Sequence, residues 1–196
     1  MLSRFPNFGH GTIGCRKWWF MVVSETLSES GLKAKVNSGN ERLHEKIFQH
    51  LYDAFSTDEF WTLERHTFDV LENLTKNQQK LAVISNTDER LDNILKSLRI
   101  RQYFNVIINS YRYGVSKPQR GIFDLTLSLA CHENRGGLVP QQAVHIGDSL
   151  ELDFQGARTS GWHALLFDQE DKKSLKVEEK FLLRSLLEIP LKLSTL

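Results

Sequence analysis

Four short apolar runs in the second half of the chain constrain the fold most: "KLAVIS" (80–85), "NVIIN" (105–109), "AVHIG" (143–147) and "WHALLF" (162–167). Each is too short for a helix and bounded by polar turns, and the first three are rich in β-branched residues, which is the pattern of a buried strand. Between them lie stretches with helical spacing at 89–98, 119–131 and 150–160. Strands that are apolar on both faces and alternate with helices predict a parallel sheet covered on both sides. The fold class expected is therefore α/β, a Rossmann-like parallel sheet.

The first 62 residues read differently. Apolar residues recur at three- and four-residue steps from Trp18 to Leu27 and from Asn40 to Phe55, where Leu43, Ile47, Leu51, Ala54 and Phe55 form one face. "VNSGN" (36–40) reads as a turn between two helices, and "STDEF" (56–60) offers a cap for a further short turn. Trp18, Trp19 and Trp61 are candidate core residues of this helical piece. "RKWWFMVVSETL" has helical spacing, so "FMVV" is not expected to serve as a strand. The organisation expected is a helical unit over residues 1–62, an α/β unit over 63–170 and a tail over 171–196, whose amphipathic stretch from Val177 to Leu187 packs on the body.

Composition excludes several classes of function. The formal net charge is +1, with 25 Lys and Arg against 24 Asp and Glu, so no basic face points to nucleic acid. The longest apolar stretch, "WWFMVV", is far shorter than a membrane span, and no membrane association is expected. Cys15 and Cys131 have no metal-ligand spacing and suit free thiols in a reducing compartment, so an intracellular protein, cytoplasmic or nuclear, is expected. Residues 1–24 hold no Asp or Glu but include Arg4, Arg16 and Lys17. That pattern also resembles a mitochondrial targeting segment, against the simpler reading of a domain start. A third reading, another doubly wound domain that binds a nucleotide, is weakened because no Gly-x-Gly-x-x-Gly follows any strand.

Ligands of open α/β sheets gather beyond the carboxyl ends of the strands. There the chain places Ser85 and Asn86 after the first run, Lys117 in "GVSKP" past the second, and Asp148 and Asp153 in "GDSLELD" after the third. A hydroxyl, an ammonium and two carboxylates on one rim suit a phosphoryl group and Mg²⁺, whose hard shell prefers oxygen. Each residue also has a plainer reading. The aspartates could cap a helix, Lys117 could be a solvated loop lysine and Ser85 a strand-end hydroxyl. His145 and His163, inside strands, are read as packed core residues.

Taken together, "AVISN" (82–86), "SKPQRGIF" (116–123) and "HIGDSLELDFQGARTSGWHALL" (145–166) resemble three successive motifs of the haloacid dehalogenase superfamily of phosphatases and dehalogenases. "RKWWFMVV" (16–23) and "FSTDEFWTLERHTFDVLENL" (55–74) are similar to its helical cap and the helix that follows. The resemblance implies Mg²⁺-dependent hydrolysis of a small phosphorylated compound through an aspartyl-phosphate. In that scheme Ser85 and Lys117 hold phosphoryl oxygens, Asn86 contacts substrate, and Asp148 and Asp153 belong to the metal site. It also implies a central strand, between those ending at Ser85 and Gly147, that carries an Asp-x-Asp motif. No aspartate of these 196 residues is followed two positions later by another. The expectation is a core lacking that first, central strand, with catalysis impaired; a non-catalytic binding or scaffold protein of the same descent is the competing expectation.

Overall fold

The computed structural model describes residues 4–30, 41–131, 137–170 and 177–196. The turn expected at 36–40 lies outside them, as does the start of the tail.

The helical unit is built from α1 (Cys15–Glu29) and α2 (Glu41–Ala54). "FMVV" is helical within α1, as its spacing requires. Trp18 is buried and its indole N–H donates to the Phe5 carbonyl at 3.0 Å. In α2 the buried stripe is offset from the one its hydropathy suggests. Phe48 and Ala54 are buried, whereas Leu43 and Phe55 are exposed. The partner helix decides this, because Phe20 of α1 meets the Phe48 ring edge-on at 5.3 Å and Arg16 covers the other side of it. Trp61 is likewise 41% exposed and not a core residue; its indole N–H caps the Phe55 carbonyl at 3.1 Å.

After α3 (Thr67–Lys76), strands and helices alternate: β1 (Ala82–Ser85), α4 (Leu91–Ser97), β2 (Val106–Asn109), α5 (Arg120–Cys131), β3 (Val144–Gly147), α6 (Gly156–Thr159) and β4 (His163–Phe167). The tail adds β5 (Leu182–Leu183) and α7 (Ile189–Leu193). β5 is a two-residue edge strand that pairs with β4, so the tail joins the sheet, a pairing its amphipathic pattern does not announce.

Among the described residues all pairings are parallel, and the strands form two sheets rather than one: β1 with β2, and β3 with β4 and β5. Side chains alternate across both. Ala164 and Leu166 of β4 pack with Ile122, Phe123 and Phe154 on one face, while Leu165 packs with Val70, Leu74 and Ile189 on the other. Helix α4 covers the face of β1 and β2 carrying Val83 and Ile107. Each such fully buried leucine or isoleucine stabilises by about 1.5–3 kcal/mol.

β1 and β3 are the facing edges of the two sheets. Between them runs a cleft of about 610 Å³ that extends along Ala82–Ile84 on one side and Val144–Gly147 on the other. Ala82 is exposed for that reason, although it sits in the middle of the molecule's strand layer.

The helical unit is bolted to the carboxyl rim of the first sheet by one buried cluster. Asp88, just past β1, accepts Arg90 Nε at 2.9 Å and Nη2 at 2.6 Å, together with the Trp19 indole N–H at 2.6 Å. The Arg90 guanidinium lies between the Trp19 and Tyr52 rings, 4.7 and 4.5 Å from their centroids. Burial alone would raise the Asp88 carboxyl, but the bonds and charge of Arg90 and the Trp19 donor outweigh it and hold the group low. Arg90→Ala leaves a buried carboxylate without its cation and is expected to cost about 3–5 kcal/mol. Trp19→Phe, which removes one donor, is expected to cost about 1–3 kcal/mol. Urea unfolding followed by far-ultraviolet circular dichroism measures both.

Candidate active site at the carboxyl rim

The loop after β3 is shaped by two residues without bulk or charge. A Cβ at Gly147 would lie 2.3 Å from Cγ of Asp153, so only glycine lets that carboxylate fold back on the strand end. Ser149 then caps the wide turn Leu150–Gln155, its hydroxyl accepting the Leu152 N–H at 3.1 Å. The capping role open to either aspartate thus falls to the serine between them.

Asp153 organises everything around it. Its Oδ1 accepts Lys117 Nζ at 2.6 Å and lies 2.8 Å from His145 Nε2, and its Oδ2 accepts the Ser149 N–H at 2.9 Å. A carboxylate held ionised only accepts, so His145 Nε2 is the donor of this bond. Side-chain exposure is 5% for Asp153 and 12% for Lys117. Burial pushes the Asp153 carboxyl up; the hydrogen bonds from His145 and Lys117, the lysine charge and the Ser149 amide outweigh it and hold it far below the ordinary 3.8.

Lys117 is positioned from its other side by Asn86. The Asn86 amide donates to the Lys117 carbonyl at 2.9 Å and accepts the Lys117 N–H at 2.8 Å. The residue expected to touch substrate therefore spends its amide group on the lysine's own peptide. Gly156 contributes by omission again, since a Cβ there would stand 3.0 Å from Pro118. Ser85 ends β1, in register with Asn109. Asp148 is exposed beyond the end of β3.

The structure thus brings Asn86, Lys117 and Asp153 into one bonded chain, with Ser85 and Asp148 on the same rim. The sequence reading missed His145. It does pack as expected, edge-on to Phe123 at 5.4 Å, but its other edge serves the carboxylate. The available signal was its position two residues before "GD", facing the same side as the turn that follows. Asp153, expected in the metal site, has both oxygens engaged by protein groups. Among the described residues no three His, Cys, Asp or Glu side chains cluster as a metal cage. The donor set fits Mg²⁺ only in the form that ion tolerates well, with one carboxylate, Asp148, beside water and a substrate's own oxygens.

A family profile described as haloacid dehalogenase-like hydrolase matches residues 21–167. The chain is 33% identical over 173 residues to haloacid dehalogenase-like hydrolase domain-containing protein 3 of Xenopus laevis, covering 88% of this chain and 66% of that protein. Against the Homo sapiens protein of the same name it is 35% identical over 164 residues, 83% of this chain and 60% of that one. The chain therefore spans roughly three fifths to two thirds of the length of these relatives. Among solved structures, a HAD phosphatase from Thermococcus onnurineus superposes with a TM-score of 0.65 at 19% identity, covering 88% of this chain and 86% of that one. A 2-haloacid dehalogenase from Pseudomonas syringae superposes at 0.68 and 19% identity, covering 99% and 76%. These two likenesses show the fold.

Two outcomes follow from the Asp153 junction. Gly147→Ala is expected to evict the carboxylate and free Lys117, read as a changed Lys117 Nζ resonance by NMR with the sheet intact. Because the folded Asp153 carboxyl titrates below its unfolded value, its stabilisation is full above pH 3.8 and is lost as pH falls from there toward the folded value. Asp153→Asn should therefore lower stability at pH 7 and flatten the acid limb of a stability–pH curve from urea melts.

Proposed function

The chain belongs to the haloacid dehalogenase-like hydrolase family, and from that premise we propose that its rim is the phosphoryl-holding side of a phosphatase centre for small phosphorylated compounds. The observation that carries the reading is the bonded chain from Asn86 through Lys117 to Asp153 and His145. A lysine needed only for solubility would not be buried to 12% exposure and gripped at its peptide and at its amine.

Each residue then has a task. Lys117 Nζ, fixed by Asp153, meets a non-bridging phosphoryl oxygen and balances its charge, with the Ser85 hydroxyl donating to a second oxygen. Asn86 sets the reach of the lysine through its backbone. Asp153 stays ionised and keeps the Lys117 amine aimed. His145 holds Asp153 from behind. Asp148 is the residue that would hold Mg²⁺, which supplies charge neutralisation at the phosphate when bound.

What this set does not supply is the attacking group. Asp153 is locked among donors and strongly acidic, hence a poor nucleophile. The family's Asp-x-Asp is absent from these 196 residues. By itself the chain binds phosphoryl compounds and does not turn them over. A solely binding or scaffolding protein is the reading that survives if supplying the motif restores nothing.

Hydrolysis of an aryl phosphate with Mg²⁺ separates the cases, comparing this chain with one preceded by an apolar strand ending in Asp-x-Asp. Turnover is expected of the extended form alone. Lys117→Ala in that form should lower kcat/KM by about 10²–10³-fold. Equal rates from the two forms would overturn the proposal.

A further inference from the structure

Asn86, Thr87 and Asp88 are consecutive, and each is tied to a different part of the molecule. Asn86 holds the Lys117 peptide through both atoms of its amide. The Thr87 carbonyl accepts the Tyr111 N–H at 3.1 Å and the Ser110 hydroxyl at 3.3 Å. Asp88 takes the Trp19 indole N–H at 2.6 Å, and its Oδ1 also accepts the Arg90 N–H at 2.9 Å, which folds the loop back on itself before α4. Only Thr87 separates Asn86 from Asp88, and its own carbonyl is fixed. Few backbone rotations are left to absorb a shift of Asp88 before it reaches Asn86.

The far ends of these ties lie in the helical unit. Cys15 and Trp19 stand four residues apart on α1 and so share a face. The Cys15 N–H donates to the Tyr111 hydroxyl at 3.1 Å, while Trp19 donates to Asp88. Tyr52 of α2 lays its ring on the Arg90 guanidinium and accepts Nη1 at its carbonyl at 3.4 Å. The segment leading into α1 grips the loop that runs on to Lys117. The Asn7 amide donates to the Ser110 carbonyl at 2.7 Å, and His10 lies so close on Gly114 that a Cβ there would stand 2.7 Å from Nε2. The helical unit thus reaches Lys117 along the loop that precedes it in the chain and along the loop bonded across from it. A cluster needed only to glue two units together could sit anywhere along their contact. This one sits two residues from the amide that sets the lysine.

We propose that Trp19, Asp88 and Arg90 are positioning residues: the helical unit, acting through the loop 86–90, sets where the Lys117 amine stands at the rim. The lysine reaches its full geometry only with those helices seated. The positioning rests on the bonding geometry; only its effect on phosphate affinity rests on the function proposed above.

Two measurements on the chain as it is test this. One follows the NMR signals of the Asn86 side-chain amide and the Lys117 side chain without ligand. The other takes the dissociation constant of inorganic phosphate with Mg²⁺ by calorimetry. Trp19→Phe keeps a ring over Arg90 and removes the donor to Asp88; Arg90→Lys keeps the charge and removes the two-pronged grip. Trp18→Phe is the control, since that buried indole donates to the Phe5 carbonyl and not to the loop. Trp19→Phe and Arg90→Lys are each expected to shift the Asn86 and Lys117 signals and to weaken phosphate about threefold to tenfold, with the control doing neither. In an Asn86→Ala background, Trp19→Phe is expected to add nothing to the loss. Shifted signals in a chain that never binds phosphate leave the positioning standing and remove the phosphatase reading. Unmoved signals in both variants, or unmoved affinity where the parent chain binds, overturn the positioning. Equal shifts from Trp18→Phe overturn it too, since they mark a general loosening. An additive loss in the Asn86→Ala background overturns the route through the loop.

Discussion

The rim depends on one carboxylate being able to lie flat against a strand end. Asp153 reaches that position because Gly147 has no side chain, and once there it ties together three other parts of the chain. The amine of the Lys117 loop, the imidazole of β3 and the amide of Ser149 all converge on its two oxygens. Such a junction is strong because its members are buried and mutually satisfied, and brittle for the same reason: removing any one leaves a charge or donor without a partner. The wide turn that follows, the approach of Gly156 to Pro118 and the aim of the lysine are consequences of that packing.

How much of this was legible before folding depended on the length scale of the signal. Buried parallel strands announce themselves by local composition, so the four runs at 80–85, 105–109, 143–147 and 162–167 each contain the strand observed. The convergence of Lys117 with Asp153 was legible through a rule of sheet topology rather than through spacing. His145 was not, since a histidine inside a strand looks the same whether its ring merely packs or also donates. The buried face of α2 was misjudged at Leu43 and Phe55 because Phe20 and Arg16 of the neighbouring helix choose it. β5 escaped because two residues carry no period.

The divided strand layer and the intact rim concern different energies. The rim is held by side chains of loops that meet at the strand ends, whereas sheet continuity depends on a backbone partner along the length of each strand. The first can persist when the second is interrupted, which is why the loop geometry beyond β3 is complete beside an open cleft. Similarity at the fold level to both a phosphatase and a dehalogenase leaves the choice of chemistry to what occupies the rim.

The aromatic sandwich around Arg90 bears on motion. Separating the helical unit from the loop past β1 would strip the guanidinium of both ring faces and Asp88 of its indole donor at once, with water as the only replacement. Helices and loop are accordingly coupled, because parting them exchanges all of these contacts for water in one step.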